Sequence, residues 1–69
     1  MMQTLTIETI KKKMPQWALF AAIDFDGQVT YFSGYPVLHK GTYIPQNWKN
    51  DKYKVVGYAI DKSSYLSII

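Results

Sequence analysis

Two runs of β-forming residues flank Phe25-Asp26-Gly27, and this arrangement restricts the fold more than any other feature of the sequence. The runs Trp17 to Asp24 and Gln28 to Gly34 predict a β-hairpin. A two-residue turn at Asp26-Gly27 would mix polar with apolar side chains on both faces. A three-residue loop with a left-handed Gly27 segregates them better and pairs Ile23 with Val29, so we predict that register.

The segment from Thr4 to Met14 has features of both a helix and a strand. Ile7, Ile10 and Met14 recur at helical spacing, Thr6 is a candidate N-cap, and Pro15 stops a helix. Its β-branched threonines and isoleucines favour a strand instead. We predict an N-terminal amphipathic helix here and keep a strand as the alternative.

The second half of the chain contains further strand signals. Val37 to His39 and Thr42 to Ile44 could form a minor hairpin, and Pro45 to Asp51 reads as a loop. Tyr53 to Ile60 is apolar on both faces, which predicts a central strand, and its Gly57 suggests a bulge or a close backbone approach. Tyr65 to Ile69 is a short helix or a last strand. We therefore expect one α+β domain over residues 1–69, with a mainly antiparallel sheet of three to five strands and one N-terminal helix; the alternative is all-β.

A chain of 69 residues buries a small core and usually needs an additional source of stability. There is no cysteine for a disulfide, and His39 is the only histidine, so we expect no metal site. Dense packing of the aromatic residues and self-association remain. We predict a homodimer whose contact is the apolar C-terminus: Tyr65, Leu66, Ile68 and Ile69.

Catalytic and targeting signals are weak. No serine lies in a glycine-flanked elbow, and no glycine-rich phosphate loop is present, so we expect a protein that is not an enzyme and binds no cofactor. Asp24 and Asp26 are explained by turn chemistry, since the other ligands of a calcium loop are missing. The opening Met1-Met2-Gln3-Thr4 does not resemble a secretion signal, and the longest apolar run is far shorter than the ~20 residues that span a bilayer. We expect a cytoplasmic protein without membrane contact.

Trp48 is isolated among polar residues, in the segment Gln46 to Asp51. Loop aromatics in small domains usually fold back, so we expect Trp48 to act as a lid on the core; the alternative is an exposed interface anchor. A binding surface for an unknown bacterial protein would combine Trp48, Tyr43, Tyr35, His39 and Lys40.

The net charge of +3 comes from eight lysines and no arginine. Lysine neutralises phosphate, but the bidentate contact of arginine with base edges is missing. Weak nucleic-acid binding without sequence specificity is therefore the alternative function. Its candidate residues are Lys11, Lys12, Lys13, Lys49, Lys52 and Lys54.

The segment Phe20 to Phe32, followed by Pro36 and Trp48, resembles small proteins of bacteriophages that carry an "apolar-Ala-Ile-Asp-x-Asp-Gly-x-apolar" hairpin. The resemblance covers about half of the chain and brings no site residue with it. It implies a small inhibitor or accessory protein that acts on a host or defence protein in the cytoplasm of an infected bacterium. A non-enzymatic protein-binding module is thus the leading functional hypothesis.

Overall fold

A computed structural model describes residues 3–69 of the chain. Met1 and Met2, which enter the expectation of no secretion signal, lie outside the described residues. The elements in chain order are β1 (Gln3–Leu5), α1 (Ile7–Lys12), β2 (Phe20–Ile23), β3 (Gln28–Phe32), β4 (Val37–His39), β5 (Thr42–Ile44), β6 (Tyr53–Ala59), a 3-10 helix (Lys62–Ser64) and β7 (Ser67–Ile68).

The strands form a curled five-stranded sheet and a separate hairpin. The sheet order is β1-β6-β3-β2-β7, and β4 pairs with β5. Among the described strands of this sheet, β1 and β6 pair in parallel, and the other neighbours pair in antiparallel. With the short helix α1, this confirms the predicted α+β class and the mainly antiparallel sheet.

The β2–β3 hairpin has the predicted register. Ile23 pairs with Val29, and Phe20 pairs with Phe32. Gly27 has a φ of 92°, and its N–H donates to the Asp24 carbonyl at 3.0 Å. The Asp26 carboxylate accepts the Gln28 N–H at 3.0 Å, so the loop is stabilised by local hydrogen bonds.

The N-terminal segment combines the two predicted alternatives, since a short strand precedes the predicted helix. Gln3–Leu5 forms a parallel strand on β6, and the helix covers Ile7–Lys12 only. The strand forms because β6 offers backbone partners to these residues, which a sequence window does not contain. Thr6 is the N-cap as predicted, since its hydroxyl accepts the Thr9 N–H at 3.1 Å.

One face of the sheet packs against α1 and forms the core. Ile10 of the helix is fully buried there, and the Tyr31 hydroxyl donates to the Ile10 carbonyl at 2.6 Å. The buried residues of this cluster are Leu5, Ile10, Ala18, Ala21, Ile23, Val29, Tyr31 and Ala59. We call this side of the sheet the helix face.

Strand β6 is central, as predicted, but its side chains alternate differently than expected. The register shifts opposite Val29 and Thr30, because Val29 pairs with Gly57 and Thr30 with Val55. The bulge at Val56 confirms the prediction that Gly57 marks a bulge or a close backbone approach. It also reverses the alternation: the alternating pattern of the sequence predicts Tyr53, Val55, Gly57 and Ala59 on one face, but Val55 shares a face with Thr30 and lies opposite to Gly57.

The β4–β5 hairpin lies over the other side of the sheet, which we call the hairpin face. Lys40 and Gly41 form its turn with φ values of 51° and 81°, as two-residue hairpins commonly require. The Asp24 carboxylate accepts the Tyr43 N–H at 2.9 Å, and the Phe25 N–H donates to the Gly41 carbonyl at 2.9 Å. These bonds join the tip of one hairpin to the other.

The C-terminal segment ends in a strand. β7 pairs with β2 through Ala22–Ile68 and Ile23–Ser67. Tyr65 and Ile69 pack against the core of the same chain, whereas Leu66 is exposed. Two of the four residues predicted for self-association therefore already have apolar contacts within the monomer.

Candidate binding groove

A groove of about 180 Å³ lies on the hairpin face between the β4–β5 hairpin and the start of β6. Thr30 and Val55 come from the two central strands of the sheet. The residues along its sides are Tyr43, Ile44 and Pro45 from the hairpin, and Trp48 and Tyr53 from the loop and β6. We call this feature the aromatic groove.

Trp48 stands at the groove with 61% of its surface exposed, so the expectation of a lid on the core is wrong. Its ring meets Tyr53 edge to face, with 5.9 Å between the centroids. Tyr53 in turn stacks on Phe32 at 6.3 Å, and Phe32 is 1% exposed. Trp48 is thus connected to the buried sheet through one ring while much of its own ring faces solvent.

The loop before β6 is folded by local hydrogen bonds. The Asp51 N–H donates to the Asn47 carbonyl at 2.8 Å, and the Asp51 carboxylate accepts the Asn47 N–H at 3.0 Å. The Asn47 side chain accepts the Lys49 N–H at 3.3 Å. Since Trp48 lies within this turn, the backbone that carries the indole is held in place.

Asp24 is the buried carboxylate of the aromatic groove, with 3% of its surface exposed. Burial raises its pKa, and the neighbouring charge of Asp26 raises it further, while the hydrogen bond from the Tyr43 N–H acts in the opposite direction. Burial also raises the pKa of the Tyr43 hydroxyl, with further contributions from Tyr35 and Asp24. Asp24 therefore connects the two hairpins as a hydrogen-bond acceptor.

Of the five residues predicted to bind a protein, two line the aromatic groove and three lie outside its lining. Trp48 and Tyr43 line the aromatic groove. Tyr35 is 58% exposed and packs edge to face on Phe20, with the ring centroids 5.2 Å apart. His39 and Lys40 are exposed at the end of the β4–β5 hairpin.

Tyr53 and Pro45 were missing from the predicted binding surface. Both line the aromatic groove, and Tyr53 supports Trp48 directly. A signal for Tyr53 was available, because it opens the predicted strand Tyr53 to Ile60 directly after the loop that contains Trp48. Nothing in the sequence indicated that Pro45, buried at the end of β5, would lie beside Trp48.

The six lysines predicted for nucleic-acid binding gather at one end of the molecule, where β3 ends and β6 begins. Lys13 follows α1 and shares a cleft with Lys54, the strand partner of Tyr31. The backbone of Lys52 is hydrogen-bonded to Ser33, one residue beyond the last pair of β3 with β6. The other three are Lys11, Lys12 and Lys49.

The opposite end, around the β2–β3 loop, contains most of the acidic residues. Four acidic residues and two lysines lie there, which gives this end a formal charge of −2: Asp24, Asp26, Asp61, Glu8, Lys40 and Lys62. The lysine-rich end has six lysines and one acid, Asp51, a formal charge of +5. The two values add to the net charge of +3.

Two further properties of residues 3–69 concern metals and membranes. No group of three or more histidine, aspartate or glutamate side chains is close enough to hold a metal ion within this range. The single described α-helix is too short to cross a bilayer.

Comparisons with protein-family models, with curated proteins and with solved structures found no match. The resemblance to phage proteins stays a hypothesis from the hairpin motif alone.

Proposed function

We propose that this chain is a non-enzymatic protein-binding module and that the aromatic groove is its contact surface. The observation that carries the proposal is the exposed Trp48 beside Tyr53, which is itself 51% exposed. Tryptophan and tyrosine are the residue types that most often dominate binding energy at protein interfaces. A partner that covers both rings removes a large apolar area from water.

The groove is also preorganised for binding. Tyr53 is fixed by its stack on the buried Phe32, and the turn around Trp48 is held by the hydrogen bonds of Asn47 and Asp51. Ordering a flexible side chain on binding costs roughly 0.5–1.5 kcal/mol, and a prearranged side chain avoids part of that cost. The same rings in a mobile loop would bind more weakly.

The aromatic groove suits a polypeptide with apolar side chains. Tyr43, Ile44 and Pro45 add apolar surface to its lining beside the two rings. Small peptide-binding domains use aromatic-lined grooves in this way. In line with the hairpin resemblance, the partner is a bacterial protein that this chain inhibits or assists.

The test uses the immobilised full chain and a bacterial lysate treated with nuclease. Wild type is compared with Trp48→Ala and with Ile60→Ala, because Ile60 is 56% exposed and is not among the residues that line the groove. We expect a defined protein to bind wild type and Ile60→Ala and to be lost with Trp48→Ala. Crosslinks from that protein should map to the groove, and the melting temperature of Trp48→Ala should remain nearly unchanged.

Other outcomes would contradict the proposal. If the two variants retain the same proteins, the groove is not the contact surface. If Trp48→Ala loses much stability while binding persists, the indole has a structural role instead.

Weak binding of single-stranded nucleic acid is the second candidate, and the gathering of six lysines at one end favours it. Such binding depends on phosphate neutralisation, so its affinity falls steeply as salt rises. An apolar interface responds little to salt. Retention that disappears on nuclease treatment and at raised salt would replace the first proposal with this one.

A further inference from the structure

A second and larger recess lies on the helix face, between the end of α1 and strand β6. Its volume is about 300 Å³, and the residues that line it are Leu5, Lys13, Tyr31, Lys54, Val55 and Val56. We call it the basic cleft. It opens on the opposite face of the sheet from the aromatic groove, because Tyr31 and Lys54 form one strand pair while Thr30 and Val55 form the next, with side chains on the other face. Val55 lies between the two recesses and lines both.

The lining of the basic cleft combines an apolar interior with two positive charges. Leu5 and Tyr31 are 4% and 3% exposed, whereas Lys13 and Lys54 are exposed. The Tyr31 hydroxyl is occupied by its bond to the Ile10 carbonyl, so this side chain contributes ring surface rather than a free polar group. The cleft can accept an aliphatic group between two ammonium groups.

The surroundings strengthen the positive potential at the cleft. It lies at the end of the molecule that carries six lysines and a formal charge of +5. Carboxylates near such a surface are attracted over about a Debye length, which is ~8 Å at physiological salt. Charge complementarity therefore selects an anionic partner.

We propose that the basic cleft binds an acidic polypeptide segment, with one aliphatic side chain inside the cleft and flanking carboxylates on Lys13 and Lys54. A nucleic acid fits less well here. Among residues 3–69 the one ring that lines the cleft, Tyr31, is nearly covered, and Trp48 and Tyr53 line the groove on the other face. Without an exposed ring for base stacking and without arginine, nucleic-acid binding would depend on phosphate contacts alone.

The probe is a synthetic Asp-Glu-Leu-Asp-Glu peptide, titrated into the isotope-labelled full chain and followed by backbone amide shifts. We expect the largest shifts at Lys13, Lys54 and Val56. The double variant K13E/K54E should weaken binding about tenfold, equivalent to ~1.4 kcal/mol. The matched variant K40E/K62E makes the same change in net charge at the other end and should weaken binding much less.

Two further ligands test the chemistry of the site. A peptide with serine in place of leucine should bind more weakly if an aliphatic group enters the cleft, and oligothymidylate should bind more weakly than the acidic peptide. Equal loss in both double variants, equal affinity of the serine peptide, tighter binding of oligothymidylate, or no binding at all would each overturn the proposal. Trp48→Ala should leave the peptide affinity unchanged, so failure here is distinguishable from failure of the aromatic groove.

Discussion

Gly27 occupies a position where both backbone and space demand glycine. Its φ of 92° is unfavourable for other residues, and a Cβ atom built there would lie 2.7 Å from the Tyr65 ring. The loop conformation and the docking of the C-terminal segment therefore depend on the same residue.

We expect Gly27→Val to lower the free energy of unfolding by more than ~1 kcal/mol, because a β-branched residue is strained at positive φ. Urea denaturation measures this loss. Repeating the substitution in a Tyr65→Ala background removes the clash and leaves the backbone strain, so part of the loss should persist. A neutral Gly27→Val would show that the loop does not need this conformation.

Asp24 is a second residue whose role depends on its surroundings. Its pKa in the folded protein is raised above the ordinary value of 3.8, chiefly by burial. The folded state therefore binds this proton more tightly than the unfolded state does. The stabilisation from this difference is complete below pH 3.8 and is lost as the pH rises through the folded value.

At pH 7 we expect Asp24→Asn to be at least as stable as wild type, because it removes a buried charge and retains an oxygen for the Tyr43 N–H. The difference between the two proteins should shrink when the pH falls below 3.8. Asp24→Ala is the control: it leaves that N–H without its acceptor and should cost about 1–3 kcal/mol. Urea denaturation at pH 7 and below pH 3.8 measures the free energy of unfolding of each protein. A loss above ~1 kcal/mol for Asp24→Asn at pH 7 would show that the buried charge of Asp24 stabilises the fold.

At the scale of elements, α1 depends on the sheet for its stability. A helix of six residues is unstable alone in water. In a continuing α-helix the Met14 N–H would donate to the Ile10 carbonyl. Here it donates to the Lys11 carbonyl, and the Ile10 carbonyl accepts the hydrogen bond of the Tyr31 hydroxyl. This bond and the buried Ile10 side chain join the end of the helix to β3.

We expect Tyr31→Phe to destabilise the protein by about 1–3 kcal/mol, since it leaves a buried carbonyl without a donor. Tyr58→Phe is the matched control, because Tyr58 is 39% exposed and should tolerate the change. Chemical denaturation compares the two. Equal stability of both variants would mean that water replaces the hydroxyl at the Ile10 carbonyl.

At the scale of the whole molecule, the small core leaves many large apolar side chains exposed. Leu66 is 49% exposed, and the neighbouring β7 is an edge of the five-stranded sheet. Edge strands can pair across a two-fold axis, which hides the edge and enlarges the buried area. With Tyr65 and Ile69 packed within the monomer, a dimer contact would have to use Leu66, Ile68 and the β7 edge.

We predict a dimer of twice 8.0 kDa in light scattering at micromolar concentration. Leu66→Asn should shift the population to the monomer. Asparagine tolerates the φ of 61° at this position, so the substitution removes apolar surface without adding backbone strain. A stable 8.0 kDa species for wild type would refute the dimer.

The sequence by itself determined the features whose causes are local. Four such features follow from interactions between residues a few positions apart. They are the three-residue loop at Gly27, the second hairpin, the Thr6 cap and the end of α1 before Pro15. Turn and cap preferences operate at that range, which is why these predictions are confirmed.

The tertiary structure decided what depends on partners far apart in sequence. Gln3–Leu5 became a strand because β6 was available beside it, and the bulge at Val56 set which β6 side chains share a face. The aromatic groove requires Tyr43 of the β4–β5 hairpin and Tyr53 of β6 to line one recess, and the basic cleft requires Lys13 to lie near Lys54. Backbone pairing brings these residues together, and it is specified by the packing of the whole chain rather than by any one segment of it.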